Sequence, residues 1–264
     1  MEHETQHMNL FAETLPLGYR DHGQGRAYLI LHGGAGPNSV GGLAVALAAK
    51  SRTITPTHPG FAGEPRPAWL SSVPDLALAY LGLLERLDLR DVIVIGNSIG
   101  GWIAAEMALR KSPRVAGIVL LNPVGIDTGS PDKHIVDPLN VSPAERAKLA
   151  FYDPARHAII PAGPEAAAAM AANQQTLRVY AGAPFMHDPG LRARLSGMAS
   201  PAMVIWGESD GIVDVEYGRQ FAASMPGCRF ALLPQAGHFP HIEQLDKVID
   251  LIDAFADRSV CSAS

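Results

Sequence analysis

Hydrophobic residues fall in short continuous runs along this chain, and most runs are followed by a stretch with helical spacing. Parallel strands that are covered on both faces lose the alternation of polar and apolar residues, so such runs predict buried strands. Strands are predicted at 27–31, 52–55, 92–95, 115–121, 202–206 and 229–233, with two shorter ones within 9–21. Helices are predicted at 42–50, 75–87, 101–110, 215–224 and 242–256. This order predicts an α/β fold with a doubly wound, mostly parallel sheet of about eight strands.

The alternation of strands and helices stops between residues 127 and 197. This stretch has no strongly β-branched run and contains three helical segments instead, the first opening with the capping-box pattern of Ser142 and Glu145. Insertions of this kind often carry functional elements. We therefore predict a helical cap at 127–197, inserted between two parts of an α/β core at 1–126 and 198–264.

Composition narrows the classes of partner. Hydrophobic residues make up 47% of the 264 positions and charged residues 18%, which is typical of a globular chain. The net charge is −5, from 21 basic and 26 acidic residues. A nucleic-acid partner is not expected, because binding to phosphates needs a basic surface. The expected partner is a small-molecule substrate, bound by a monomer or a homodimer.

Several absences bear on the compartment. The two cysteines, Cys228 and Cys261, lie too far apart in sequence to suggest a disulfide framework or a zinc site. No run of about 18 uncharged apolar residues suggests a membrane span. The first ten residues are polar and lack the pattern of a secretion signal. These features predict a cytoplasmic protein that does not bind membranes.

The strongest motif lies between the predicted strand at 92–95 and the helix at 101–110. Residues 96–100 read Gly-Asn-Ser-Ile-Gly, a G-x-S-x-G pattern. In the order strand, turn and helix, this pattern predicts a nucleophile elbow in which Ser98 sits on a strained turn. The alternative is an ordinary strand–helix turn whose serine occurs by chance.

A serine hydroxyl needs a base within hydrogen-bond reach, and the base needs a carboxylate to orient it. Asp210 follows the strand at 202–206, and His238 follows the last strand at 229–233. The order serine, aspartate, histidine is the one expected for this type of sheet. We therefore predict Ser98, Asp210 and His238 as the catalytic residues.

Other residues compete for these roles. Asp127 follows the strand before the cap, and Asp214 could replace Asp210, although it better fits a helix cap. His241 lies three residues after His238 and is expected to face solvent. The remaining candidates are expected to be structural: His32 as a backbone partner, His58 as a stabiliser of its own turn, and Glu106 and Glu243 as helix-surface or helix-start charges.

A glycine-rich loop at 32–36 follows the strand at 27–31, where it could direct backbone N–H groups into a site. Neither a phosphate-loop nor a dinucleotide fingerprint follows it, so no cofactor and no metal are expected.

Five motifs together make the chain similar to α/β-hydrolase fold proteins over nearly its whole length. They are HGGAG at 32–36, HPGFAGEP at 58–65, GNSIGGW at 96–102, WGESDGIVD at 206–214 and AGHFPHIE at 236–243. The resemblance implies Ser98 as nucleophile, His238 as general base and then acid, and Asp210 as its orienting group. It also implies an oxyanion hole formed by the backbone N–H groups of Ile99 and of Gly34 or Ala35.

The elbow serine also separates the chain from some relatives of this fold. Proteins that resemble haloalkane dehalogenases and epoxide hydrolases carry an aspartate at the elbow, which attacks an alkyl carbon. Ser98 instead indicates acyl chemistry, and a small carboxylic ester is the expected substrate of this serine hydrolase.

Two other functions stay open. Asn97 before the serine resembles the GNSxGG elbow of meta-cleavage product hydrolases, which break a carbon–carbon bond in ring-cleaved diketones. Two departures are Phe239, where those proteins usually have Trp, and HGGAGP instead of HGxGPG. A non-catalytic ligand-binding homologue is the alternative from another class. The candidate substrate contacts are Ala35, Asn97, Tyr152, Phe185, Met186 and Phe239.

Overall fold

The computed structural model describes residues 5–129, 135–137, 140–158, 161 and 163–261, with side chains up to 258. Eight strands of this part form one sheet: β1 (Gln6–Leu10), β2 (Leu15–His22), β3 (Ala27–Leu31), β4 (Arg52–Pro56), β5 (Val92–Asn97), β6 (Val115–Leu121), β9 (Ala202–Gly207) and β10 (Arg229–Leu233). Their spatial order is β1-β2-β4-β3-β5-β6-β9-β10. β2 pairs antiparallel with β1 and β4, and the other pairings are parallel. The predicted α/β sheet is confirmed.

Helices cover both faces of this sheet. They are α1 (Gly41–Ala48), α2 (Val73–Arg86), α3 (Ile99–Leu109), α8 (Val215–Ala223), α9 (Pro240–Glu243) and α10 (Leu245–Cys261). Alternate residues of the buried strands face opposite layers: Tyr28 and Ile30 join the core under α1 and α10, while Leu29 and Leu31 join the core under α2 and α3. Each such side chain stabilises the fold by about 1.5–3 kcal/mol when it is fully buried.

The described residues of the intervening segment, 127–197, lie above the carboxyl ends of the strands. It contains α4 (Pro143–Ala150), α5 (Pro154–His157), α6 (Pro164–Ala181) and α7 (Leu191–Leu195). Its β8 (His187–Asp188) pairs with β7 (Gly125–Ile126), just after β6. Residues 130–134, 138–139, 159–160 and 162 of the predicted cap lie outside the described residues, and the division into core and cap stays a prediction.

Helix α6 is attached to the core by polar contacts with the loop after β4. Asn173 accepts a hydrogen bond from the Ala62 N–H at 2.8 Å, and Thr176 donates to the Gly60 carbonyl, also at 2.8 Å. The Tyr180 hydroxyl donates to Pro59 at 2.8 Å. Because these contacts use backbone groups of the core, they fix the position of α6 above the sheet edge.

The final helix differs from its prediction. The expected continuous helix at 242–256 is replaced by the short α9 and the long α10, which are separated at Gln244. The prediction that His241 faces solvent is wrong, since its side chain is buried. His241 is 2% exposed and contacts the Ser39 carbonyl at 3.1 Å.

The prediction that Glu106 is a helix-surface or helix-start charge is also wrong, since its side chain is buried on α3. It forms an ion pair at 2.9 Å with Arg110, the residue that follows α3, and another with Arg194 of α7. Arg194 also contacts Asp188 of β8 at 3.0 Å. The helical spacing around Glu106 could not reveal this role, because its second partner comes from the intervening segment.

In the described part of the chain, no helix is long and apolar enough to cross a membrane.

We expect Glu106→Ala to lower the free energy of unfolding by about 1–3 kcal/mol, because it leaves Arg110 without a carboxylate partner and Arg194 with Asp188 alone. The measurement is urea denaturation at low ionic strength. The control is Glu85→Ala, an exposed glutamate on α2, which should change stability by less than about 0.5 kcal/mol. Equal stability of the two variants would contradict the inferred role of Glu106.

Candidate functional site

Ser98 occupies a sharp turn between β5 and α3. Its φ of 55° and ψ of −120° are sparsely populated by non-glycine residues and mark local strain. A Cβ on Gly96 would collide with the main chain of Gly100, and a Cβ on Gly100 would collide with Leu31 and His32. The two glycines of the motif are therefore required by close main-chain packing, and the turn projects Ser98 beyond the sheet edge.

Asp210 and His238 meet at the same edge, in the loops that follow β9 and β10. His238 Nδ1 lies 2.7 Å from Asp210 Oδ2. Asp210 Oδ1 accepts backbone N–H bonds from Ile212 at 2.8 Å and Val213 at 3.1 Å. The ionised carboxylate is an acceptor only, so it favours the tautomer in which His238 carries its proton on Nδ1. That leaves Nε2 as the basic nitrogen.

A cavity of about 760 Å³ opens between this edge and the intervening segment. Ser98, His238 and the loop residues Gly34 and Ala35 line it. In the described residues no hydrogen bond joins Ser98 to His238, although both line the same cavity. The arrangement brings a hydroxyl and an oriented imidazole to the wall of one largely apolar chamber.

Two backbone donors flank Ser98. The N–H of Ile99 is the first of α3 and has no intrahelical acceptor. Neither this N–H nor that of Gly34 has an acceptor among the described residues. Leu177 of α6 covers Gly34 so closely that a Cβ there would lie 2.6 Å from its Cδ2. Free N–H groups next to a serine on a strained turn are able to bind an anionic oxygen.

Of the candidate substrate contacts, Ala35, Met186 and Phe239 line the cavity, together with Arg146 of α4. Arg146 was not singled out from the sequence, since the capping-box pattern indicated only that a helix begins there. Tyr152 and Phe185 do not belong to the cavity wall in the described structure. Tyr152 is 52% exposed at the surface.

Asn97 also lies away from the cavity wall, fully buried under the elbow. Its amide donates to the Leu121 carbonyl at 3.1 Å and to the His238 carbonyl at 3.0 Å. One side chain thus connects the ends of β5 and β6 with the loop that carries His238. This arrangement fits a role in holding the histidine loop rather than in touching a substrate.

Asn122 is a residue that sequence reasoning missed. It follows β6, is buried, and donates from Nδ2 to Asp210 Oδ2 at 2.7 Å. The only available signal was its position directly after a buried strand, because Asp210 also follows a buried strand, the neighbouring β9.

The competing acids have other partners. Asp214 caps α8 by accepting the Tyr217 N–H at 2.7 Å, as predicted. Asp127 is exposed and accepts the Gly129 N–H, also at 2.7 Å. Neither contacts His238.

Glu243 has a larger role than the predicted helix-start charge. Its carboxylate accepts backbone N–H bonds from Tyr152 at 3.2 Å, Asp153 at 2.9 Å and Gly237 at 2.6 Å. Because Gly237 precedes His238, this carboxylate ties the histidine loop to the intervening segment. That prediction was therefore too limited.

His32 and His58 form a buried network behind the glycine-rich loop. The His58 N–H donates to His32 Nε2 at 3.0 Å, so His32 must carry its proton on Nδ1, which lies 2.7 Å from the Gly33 carbonyl. His58 Nε2 lies 2.8 Å from the His32 carbonyl, and its Nδ1 contacts the Tyr80 hydroxyl. Burial lowers the pKa of His32 to about 4 and that of His58 well below its ordinary value. Both rings are neutral, and His58 supports more than its own turn.

Among the described residues, no group of three or more His, Cys, Asp or Glu side chains is arranged to hold a metal ion.

The mostly parallel sheet, the serine at its strand–helix elbow and the paired histidine and aspartate at its carboxyl edge define the architecture of an α/β hydrolase. A model of the alpha/beta hydrolase family matches residues 28–251. The chain belongs to that family.

Curated relatives include two kinds of hydrolase. The chain is 26% identical to a 2-hydroxy-6-oxo-6-phenylhexa-2,4-dienoate hydrolase from Burkholderia cepacia, over 86% of each chain. It is 28% identical to a pimeloyl-[acyl-carrier protein] methyl ester esterase from Aromatoleum aromaticum, over 85% of this chain and 96% of that one.

Solved structures show the same fold. A meta-cleavage product hydrolase from Pseudomonas fluorescens superimposes with a TM-score of 0.79 at 20% identity, over 96% of this chain and 98% of that one. An esterase from Thermogutta terrifontis gives a TM-score of 0.73 at 22% identity, over 97% and 99% of the two chains.

The buried histidines predict a loss of stability in acid. Burial lowers the pKa of His241 from 6.5 to about 4. The unfolded chain therefore binds more protons than the folded one between these values, and the stability present above about pH 6.5 is lost as the pH falls towards 4.

His241→Gln keeps an N–H for the Ser39 carbonyl but removes the titrating ring. We expect the difference in unfolding free energy between wild type and this variant to shift by about 1–3 kcal/mol in the variant's favour from pH 7.5 to pH 4.5. Urea denaturation across this range measures it. His7→Gln, at an exposed histidine, is the control. A difference in unfolding free energy between wild type and His241→Gln that does not change with pH would contradict the lowered pKa of His241.

Proposed function

We propose that the chain is a serine hydrolase in which Ser98, His238 and Asp210 act as a catalytic triad on a small carboxylic ester. The observation that carries the proposal is the shared cavity of Ser98 and His238, with the Nδ1 of that histidine 2.7 Å from Asp210. The family and its esterase members support the same reaction class.

The reaction begins when Ser98 Oγ attacks the ester carbonyl and His238 Nε2 takes its proton. Asp210 stabilises the imidazolium that forms, without taking the proton itself. The backbone N–H groups of Gly34 and Ile99 stabilise the anionic oxygen, and each such donor contributes about 2.7–4 kcal/mol in the transition state.

His238 then donates the proton to the departing alcohol, which leaves an acyl group on Ser98. A water molecule, deprotonated by the same imidazole, attacks the acyl carbonyl and releases the carboxylic acid. The predicted cap at 127–197 supplies much of the pocket wall, and the apolar lining favours small apolar or amphipathic acyl groups.

We expect Ser98→Ala to lower kcat for p-nitrophenyl acetate and butyrate by about four to six orders of magnitude, because the nucleophile is lost. A fluorophosphonate probe should label wild type at Ser98 alone, as located by peptide mass spectrometry. Ser196→Ala, at an exposed serine, is the matched control and should keep both activity and labelling.

Labelling at another residue would overturn the triad. A wild type that neither hydrolyses esters nor reacts with the probe, yet gains thermal stability from an ester analogue, would favour the non-catalytic binder.

A second candidate is hydrolysis of a carbon–carbon bond in a ring-cleaved dienoate. Arg146 on the cavity wall favours it, because a guanidinium pairs well with the carboxylate that such a substrate carries. The GNSIGG elbow and the dienoate hydrolase relative support it as well.

The two candidates make different predictions for Arg146→Ala. If the dienoate is the substrate, kcat/KM for its hydrolysis, followed by the loss of its visible absorbance, should fall about tenfold to a hundredfold in this variant. The kcat/KM for a neutral ester should change by less than about threefold. Arg156→Ala in α5 is the control. Absence of dienoate turnover in wild type would leave ester hydrolysis as the function.

A further inference from the structure

We infer that Asn122 is a positioning residue that holds the Asp210 carboxylate in line with His238, an assignment that rests on the proposed triad. Asn122 lies directly after β6, where its N–H continues the pairing with β9 by donating to Ile205 at 3.0 Å. Its φ of 44° is in the left-handed region, which asparagine tolerates better than most residues. The strand end thus directs a carboxamide at the neighbouring acid.

The orientation of that carboxamide is fixed by its other partner. Asn122 Oδ1 accepts the Gly207 N–H at 3.2 Å, so the opposite end of the group must be the donor, Nδ2. This nitrogen lies 2.7 Å from Asp210 Oδ2. The amide therefore faces the acid in one orientation, between two neighbouring strands.

Asn122 shares its target atom with the histidine. Asp210 Oδ2 receives both the Asn122 amide and His238 Nδ1, each at 2.7 Å. The bond from His238 strengthens and weakens as the imidazole gains and loses its proton during turnover. The bond from the neutral amide does not change with that proton, so it keeps Oδ2 in place throughout the cycle.

Two backbone donors already hold the other oxygen, Oδ1. Without Asn122, only the imidazole would restrain Oδ2, and the carboxylate of Asp210 could rotate about its Cβ–Cγ bond. Misplacing the acid changes the orientation of His238 and therefore its reach towards Ser98. Catalytic rate, rather than substrate affinity, should depend on Asn122.

Two variants test this role. Asn122→Gly removes the amide and accepts the left-handed backbone, so folding should survive. We expect kcat to fall about tenfold to a hundredfold, the range for losing a hydrogen bond to a charged group, while KM changes by less than about threefold. Labelling of Ser98 by the fluorophosphonate should slow in parallel.

Asn122→Asp keeps the shape but replaces the donor with a carboxyl group. Two adjacent carboxylates retain a proton more readily than one, and the protonated group donates to Asp210 as the amide did. Its kcat relative to wild type should therefore rise as the pH falls from about 8 to about 6, while the ratio for Asn122→Gly should stay flat. His241, the other titrating group beside His238, is common to all variants and cancels in the ratio.

Asn140→Ala is the matched control, because Asn140 donates to Asp137 at 2.9 Å in an exposed asparagine–aspartate pair. It should leave kcat unchanged. A lower melting temperature for Asn122→Gly with an unchanged kcat would mean that Asn122 only joins β6 to β9, and would overturn the inference. If kcat relative to wild type had the same pH dependence in Asn122→Gly and Asn122→Asp, the inference would be overturned too. A wild type without ester turnover or Ser98 labelling would overturn the triad first and this assignment with it.

Discussion

The close main-chain contact between Gly96 and Gly100 is the constraint on which the site depends. It lets α3 begin directly after β5, with only Ser98 between them in a strained conformation of positive φ. A side chain at either glycine would push the helix away from the strand. The buried sheet stabilises this strained turn, because strain of this size persists only where the surrounding structure fixes it.

Buried polar side chains around the elbow follow from the same geometry. The strands end in backbone groups that point away from solvent, and each needs a partner. Asn97 donates to the carbonyls of Leu121 and His238, and Asn122 accepts the N–H of Gly207. These bonds satisfy the strand ends and, at the same time, fix the loops that carry His238 and Asp210. Stability and the geometry of the proposed triad therefore depend on the same hydrogen bonds.

Much of the fold could be predicted from the chain alone, because the information is local. Continuous apolar runs such as 115–121 identified buried strands, and the capping box at Ser142 identified the start of α4. What failed depends on contacts between distant segments. Glu106 pairs with Arg194, 88 residues later, and His241 contacts Ser39, 202 residues earlier. Local pattern cannot report which charges meet across such distances.

The same distinction between local pattern and distant contacts explains why the reaction class is easier to predict from the sequence than the substrate. Ser98, Asp210 and His238 follow strand ends in a fixed order, so sequence position alone predicted that they would lie at one edge of the sheet. In the proposed function, specificity depends instead on cavity residues from the intervening segment, such as Arg146 of α4 and Leu177 of α6, whose positions are set by how these helices rest on the core. The contacts of α6 with the loop at 59–62 are the physical link between these two parts. In the proposed function, changes in that contact should alter which acyl groups fit without displacing Ser98, His238 or Asp210.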